Sequence, residues 1–371
     1  MIYKTCNFYT VINEDNLGRS IGFSKKFENL KIVIDEVEYG QSFPLNLNES
    51  IDFKNLNSYS RIPKILLWTP FWHWKDFFFG LGYKKPFVNN ECPVFNCEIT
   101  NDRTKFNESD LVVFHARKKF QFQYRPRDQR WIFAEFESPI HSPNYTKFNN
   151  IFNFTFTYRV ESEFSRSSSS GYRMFEWARN FSFDENKDFS KGKTGLAAAV
   201  ISHCKANSGR DIFIKKLKQF IPISIYGKCG KNCTDKFKFF SKCKHHIGKK
   251  YKFYLSFENS ICNGYITEKF FEILRYDIIP VVLGGGQYAK FVPKSGFINV
   301  FDYKNPQELG QYLKYLDKNT TAYNSYFKWK KYVLFKDRLL NSNFCDMCLM
   351  LNLENEMPIR RNIVRNIGEF W

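Results

Sequence analysis

This sequence predicts an α/β fold in two domains, on three observations. The stretch Tyr251–Gly286, YKFYLSFENSICNGYITEKFFEILRYDIIPVVLGGG, reads as strand, loop, helix, strand. Short apolar runs without alternation recur, as in Leu111–His115 (LVVFH), and parallel strands buried on both faces read this way. The chain has 371 residues, 43% of them hydrophobic, enough for two cores.

In order, residues 1–60 read as an N-terminal stem or extension with one expected strand, Ile32–Val37. A first domain over 61–190 is expected to carry strands at Ile65–Thr69, Asn96–Thr100, Leu111–His115 and Trp131–Phe136. Phe152–Arg159 (FNFTFTYR) alternates aromatic and polar residues, which predicts a half-buried strand. The serine-rich segment 165–171 is expected to be a mobile loop, and Phe181–Lys193 a linker.

A second domain over 191–348 opens with Gly195–Ser202, whose small residues allow close packing against helices. Ser208 is expected to cap a helix with buried positions Ile212, Phe213, Leu217 and Phe220. Ile223–Tyr226 and Tyr251–Phe257 are expected strands, and Thr267 caps a helix with an apolar face of Phe270, Phe271, Ile273 and Leu274. Ile278–Leu283 and Phe297–Phe301 follow as strands. Asn305 with Pro306 starts a helix, and Tyr323–Lys336 is expected to form another. Residues 349–371 read as a tail.

Two basic residues sit where capping logic would not put them. Arg210 and Lys269 both fall in the first turn of an expected helix, at its positive end. Either a bound anion explains them or they are ordinary surface residues. Glu137 stands at the end of a buried strand, just before Ser138-Pro139, where proline forces its neighbour to be extended. A carboxylate so placed projects into a cleft, or lies in solvent as most glutamates do. Glu135, two residues earlier, is its rival.

The formal net charge of +19 calls for anionic partners, but the basic residues are spread along the chain without zinc-finger, helix-turn-helix or RNP-like spacing, so nucleic acid is not the expected partner. Salt-dependent binding to RNA or DNA would be the mark of that alternative. Ten cysteines favour disulfides in an oxidising compartment over a four-cysteine zinc site. Asn-x-Ser/Thr sequons at Asn48, Asn107, Asn144, Asn153, Asn180, Asn232 and Asn319 agree with that compartment. No transmembrane segment or signal peptide is recognisable; the most apolar stretch, Lys64–Leu81, is interrupted by His73, Lys75 and Asp76.

FYLSFENS, YITEKFFE and PVVLGG resemble the signature of the α1,3/α1,4-fucosyltransferases of glycosyltransferase family 10. CPVFNCEITND, FESPIHSPNY and FNFTFTYR extend the resemblance from about Ile65 to Cys348. It implies a GT-B fold, two Rossmann-like α/β domains facing across a cleft, with the first on the acceptor side and the second binding GDP-fucose. It implies inverting, metal-independent transfer of fucose to a GlcNAc hydroxyl of a glycoprotein glycan in α1,3 linkage. The donor is the substrate and no cofactor is expected; no Asp-x-Asp motif for a metal occurs.

By resemblance, Glu137 is the catalytic base, Arg210 contacts the donor diphosphate, and Lys269 stabilises the departing GDP. Glu258, Asn259, Tyr265 and Glu268 hold the rest of the donor. A CG-x-x-C insert containing Cys229 and Cys233, with Cys204, Cys243 and Cys262 nearby, is similar to the branch that fucosylates the N-glycan core. The alternatives are a Lewis-type enzyme acting on N-acetyllactosamine, an inactive GDP-binding lectin-like relative, or a GT-B transferase with another donor. The family implies a Golgi-lumenal location with a membrane anchor that this sequence does not contain. It also suggests pairing of Cys92 and Cys97 with Cys345 and Cys348; local Cys92–Cys97 and Cys345–Cys348 bridges remain open on sequence alone.

Overall fold

The computed structural model describes residues 5–6, 31–35, 37–40, 53–118, 120, 124–159, 161–165, 175–177, 183–232, 242–335, 342–353 and 363–371. The serine-rich segment after Ser165 lies outside them. The chain divides into two compact units. The first is Ser42–Arg173 with Leu339–Trp371, and the second is built on Met174–Arg338. The division departs from the sequence boundary at 348, because the chain after 339 returns to the first unit. Part of the expected stem also joins a unit: Thr5–Cys6 runs parallel to Ile261–Cys262 in the second.

Seven strands form the sheet of the first unit: β1 (Lys64–Leu67), β2 (Gly82–Tyr83), β3 (Glu98–Thr100), β4 (Leu111–His115), β5 (Arg130–Glu135), β6 (Phe154–Thr157) and β7 (Phe164–Ser165). Their order is β7-β6-β5-β4-β1-β3-β2, parallel except for β2 against β3. Successive side chains of β4 and β5 pass to opposite faces, as the pleat requires. Val113, Ile132 and Ala134 join one core with Phe344 and Met347, while Phe114, Trp131 and Phe133 pack with Phe152 on the other face. β6 is buried at every position, not half-buried as its alternation predicts, because β5 and β7 flank it and its threonines find partners inside. The Asn153 sequon is also interior: its side-chain oxygen accepts the Trp131 amide at 2.9 Å, so it is no glycan acceptor.

The second unit has a five-stranded parallel sheet. Its elements in chain order are β8 (Gly195–Val200), α1 (Arg210–Leu217), β9 (Ile223–Tyr226), α2 (Lys242–Lys250), β10 (Tyr251–Phe257), α3 (Glu268–Phe271), β11 (Ile279–Leu283), β12 (Ile298–Asn299) and α4 (Pro306–Lys318). The order β9-β8-β10-β11-β12 puts β10 in the middle. Ala197, Ala199, Phe253 and Leu255 share a core with α1 and α4, and Ala198 and Tyr254 share another with Ile247 of α2. Asn305 caps α4 by accepting the Glu308 amide at 2.9 Å, as expected.

Three local expectations are corrected. Gly209, in the left-handed region at φ 67°, caps α1 in place of Ser208, whose hydroxyl donates to the Glu258 carbonyl at 2.7 Å. The buried stripe of α1 is Arg210, Phe213, Ile214 and Leu217, a regular i, i+3, i+4, i+7 face that begins on the arginine and leaves Ile212 half exposed. Tyr323–Lys336 is not one helix: a turn of helix at Thr320–Ser325 is followed by a 3₁₀ segment at Lys328–Tyr332 and a strand at Val333–Phe335. That strand pairs antiparallel with Phe175–Trp177, a partner far away in sequence. No helix among the described residues is long and apolar enough to cross a membrane.

The cysteines pair across the chain. Cys92 bonds Cys345 and Cys97 bonds Cys348, fastening the buried helix α5 (Ser342–Leu353) to the first unit. Cys204 bonds Cys229 in the second unit, and Cys243 and Cys262 are also oxidised. The bridges to α5 close loops of 253 and 251 residues. Once one is formed, the other closes only a short ring, so its entropic share is smaller. Replacing either pair by serine should cost about 2–3 kcal/mol, and replacing both should cost more than the two singles added. Urea-denaturation midpoints of the three variants check this.

Candidate active site

The polar residues of the central unit gather where β10 gives way to α3. Glu258 follows β10, and its side chain is fully buried. Burial raises its carboxyl above the usual range, and three groups pull the other way. The Thr267 amide donates to Oε1 at 2.8 Å, the Thr267 hydroxyl lies 2.9 Å away, and Lys269 Nζ is 3.3 Å from Oε2. Lys269 Nζ also reaches Thr267 Oγ1 at 2.9 Å and Glu268 Oε1 at 3.2 Å. Burial works against the ammonium, but Glu258 and Glu268 raise its pKa, so it stays charged.

The helix at this point is a single turn, Glu268–Phe271, continued by a 3₁₀ turn at Ile273–Arg275. Its four expected apolar residues are all buried. Lys269 is therefore neither a free surface lysine nor a simple dipole partner; it is the cation of a carboxylate cluster. Burial raises the Glu268 carboxyl, but Lys269 and then Lys244 outweigh it and hold the group at about 2. Lys244, from α2, is itself ion-paired to buried Glu272.

Arg210 brings a second cation, this one buried, to the same place. It is 2% exposed, and Nη1 and Nη2 donate to the carbonyls of Phe257 and His203 at 2.8 and 2.9 Å. Phe257 ends β10 and His203 lies three residues past β8, so the guanidinium ties the two strand exits together. Its Nε has no hydrogen-bond partner among the described residues. Burial lowers its pKa, while Glu258, Tyr265 and Glu268 act to raise it. The Ser208 amide fixes the loop before α1 by donating to the Asn259 carbonyl at 3.0 Å. Asn259 Oδ1 is buried without a partner among the described residues, and Tyr265 is buried.

Sequence reasoning missed Tyr288. Its buried hydroxyl has no partner among the described residues, and burial followed by the Glu258 charge pushes its pKa well above the ordinary value. A Cβ on Gly284 would lie 2.4 Å from that hydroxyl and 3.1 Å from Glu258 Cγ, so only glycine fits there. The run of three glycines was the available signal. Three polar atoms orphaned among the described residues, on Arg210, Asn259 and Tyr288, thus occur in the segments just after these strands, where open α/β sheets bind ligands. Among the described residues, no group of three or more His, Cys, Asp or Glu is arranged to hold a metal.

The two glutamates of the first unit differ sharply. Glu135 is fully buried; Oε1 accepts the Phe136 and Glu137 amides at 2.9 and 3.0 Å, and Oε2 accepts the Tyr145 hydroxyl. Glu137 is only half-buried, and its side chain makes no hydrogen bond or ion pair among the described residues. Ser138 is extended at ψ 155° before Pro139, as expected. Glu135 is thus a structural carboxylate that holds the turn presenting Glu137.

A family profile described as "Glycosyltransferase family 10 (fucosyltransferase) C-term" matches residues 190–370, and one for "Fucosyltransferase, N-terminal" matches 60–168. The chain is 31% identical over 336 residues to alpha-(1,3)-fucosyltransferase C of Drosophila melanogaster, covering 83% of this chain and 77% of that one. It is 35% identical over 265 residues to 4-galactosyl-N-acetylglucosaminide 3-alpha-L-fucosyltransferase 9 of Bos taurus, covering 68% and 69%. A crystal structure of an alpha1,3-fucosyltransferase with GDP shares the fold, with a TM-score of 0.51 at 19% identity over 84% of this chain and 95% of that one.

The Glu268 carboxyl is held lower in the folded chain than its ordinary 4.5. Such a group adds stability above its unfolded pKa and loses it as the pH falls through the folded one. The thermal-midpoint gap between the parent protein and Glu268→Gln should therefore be largest above about pH 4.5 and shrink toward about pH 2. Melting curves across that range check the sign.

Proposed function

This chain belongs to glycosyltransferase family 10, the fucosyltransferases, and is an α1,3-fucosyltransferase; we propose that it moves fucose from GDP-fucose to the N-glycan core with inversion and without a metal. The observation that carries the donor reading is the pair of cations, buried Arg210 and partly buried Lys269, beside three polar atoms unpartnered among the described residues. A nucleoside diphosphate leaves with negative charge, and pre-placed cations stabilise that charge at little reorganisation cost. Lys269 exchanges part of its contact with Glu258 and Glu268 for the phosphates, and Arg210 supplies its free Nε. Asn259, Tyr265, Glu258 and Glu268 hold the nucleoside and the sugar. With cations in these roles, no divalent ion is required on the diphosphate.

Glu137 acts as the general base. It takes the proton of the acceptor hydroxyl as that oxygen bonds to fucose C1. The bond from C1 to the diphosphate oxygen breaks, and its electron pair leaves with GDP. Attack opposite the leaving group inverts the anomeric centre. GDP is a good leaving group, so no acid is needed to protonate it.

The core acceptor is favoured by the oxidised cysteines of the second unit, Cys204–Cys229 with Cys243 and Cys262, which match the cysteine-rich branch in the sequence reading. A lactosamine acceptor is the second reading, favoured by the 35% identity to a relative named for 4-galactosyl-N-acetylglucosaminide. The disulfides support an oxidising compartment as the workplace, for which the Golgi lumen is our proposal.

Glu137→Gln should lower kcat by about 100- to 10,000-fold, the range of a general base, and leave GDP affinity unchanged. Glu135→Gln should instead lower stability. Steady-state rates with calorimetric GDP titration check both. A Glu137→Gln variant at parental rates would remove Glu137 as the base.

A further inference from the structure

We propose that Trp72 is a stacking platform for a sugar ring of the acceptor, placed beside the turn that presents Glu137; this rests on the transferase reading above. The first observation is the backbone. Phe71 and Trp74 exchange amide-to-carbonyl hydrogen bonds at 3.0 and 2.8 Å and so close a two-residue turn on Trp72 and His73. Trp72 holds φ 55° at the first central position, where glycine is the usual residue. A bulky side chain is strained in that conformation, and such strain gathers at functional sites.

The second observation is exposure. Trp72 is 40% exposed and Trp74 45%, whereas Trp131, on β5 of the same unit, is buried at 3%. The third is a chain of contacts to the base. The Arg117 guanidinium lies 5.1 Å from the Trp72 ring centre. The same guanidinium donates to the His141 carbonyl at 2.8 Å and sits 3.9 Å from Glu135 Oε1. Glu135 Oε1 in turn accepts the Glu137 amide at 3.0 Å. Arg117 is thus the positioning residue that keeps the indole next to the Glu137 turn.

The chemistry of the occupant follows. One face of a pyranose ring carries C–H groups with little polarity, and these pack on the electron-rich face of an indole; the hydroxyls at the ring edge keep their water or find polar groups. An indole is stiff and large, so it orders a mobile oligosaccharide at small entropic cost. Charged or purely aliphatic ligands would not use this combination of an exposed aromatic face and a nearby carboxylate that needs a hydroxyl proton.

Trp72→Gly and Trp72→Phe test the proposal in the full chain. Glycine suits the turn, so the first variant should melt no lower than the parent. Initial rates are measured with an N-glycan core glycopeptide and with N-acetyllactosamine, each at saturating GDP-fucose. Trp72→Gly should raise the KM of the preferred acceptor about tenfold, leave the KM of GDP-fucose within about twofold, and be largely restored by Trp72→Phe. Saturation-transfer NMR from the protein to either acceptor, with GDP present, reads binding without turnover. A signal that the parent shows and Trp72→Gly loses supports the platform even if no fucose moves, in which case only the transferase reading fails. An acceptor KM unchanged in Trp72→Gly, or no acceptor signal from the parent, overturns it.

Discussion

Glu258 carries a fully buried carboxylate at the end of the central strand, and a charge in that position persists only when it is paired and hydrogen-bonded. Much of the second unit can be read as the means of meeting that demand. Thr267 supplies its amide and hydroxyl, Lys269 supplies the counter-charge, and α3 begins where it does because Thr267 is held there. Gly284 gives up its side chain so that Tyr288 and Glu258 can approach the same point. Arg210 locks the neighbouring strand ends, and Ser208 ties its loop to the carbonyls of Glu258 and Asn259. Two cations are thereby held in place before any ligand arrives, which is the condition for stabilising a departing anion cheaply.

The first unit solves a different problem with a similar device. Glu135 is sunk at the end of β5, where the next two amides and the Tyr145 hydroxyl satisfy it. Burial raises its carboxyl, and these hydrogen bonds partly offset the rise. The cost is local, and the result is a turn of defined shape carrying a second, more open carboxylate two residues on. One glutamate is the support and the other is presented. Arg117, between Glu135 and Trp72, belongs to the same supporting layer.

Much of the second-unit fold was legible in the sequence because its strands are continuous apolar or aromatic runs. Tyr251–Phe257 and Ile223–Tyr226 have the bounds their composition implies. What was not legible depends on partners distant in the chain. Val333–Phe335 reads as the end of a helix until Phe175–Trp177 is laid beside it. The buried stripe of α1 starts on an arginine, and a reading that counts only apolar residues shifts the stripe onto Ile212. The cysteine pairs could not be chosen without knowing that α5 returns to the first unit. Arg210 and Lys269 stood out because they oppose the helix dipole, whereas Tyr288 carried no such conflict and passed unnoticed. Glu135 and Glu137 look alike in sequence, and only hydrogen bonding separates them.

The most direct test of the account is to incubate the purified protein with GDP-fucose, EDTA, an N-glycan core glycopeptide and N-acetyllactosamine, and to weigh the products by mass spectrometry. One added fucose on the core glycopeptide, undiminished by EDTA, is the predicted result. Transfer only without the chelator would contradict the metal-free role given to Arg210 and Lys269. Transfer to lactosamine alone would contradict the acceptor, and no transfer to either with GDP still bound would contradict the catalytic reading itself.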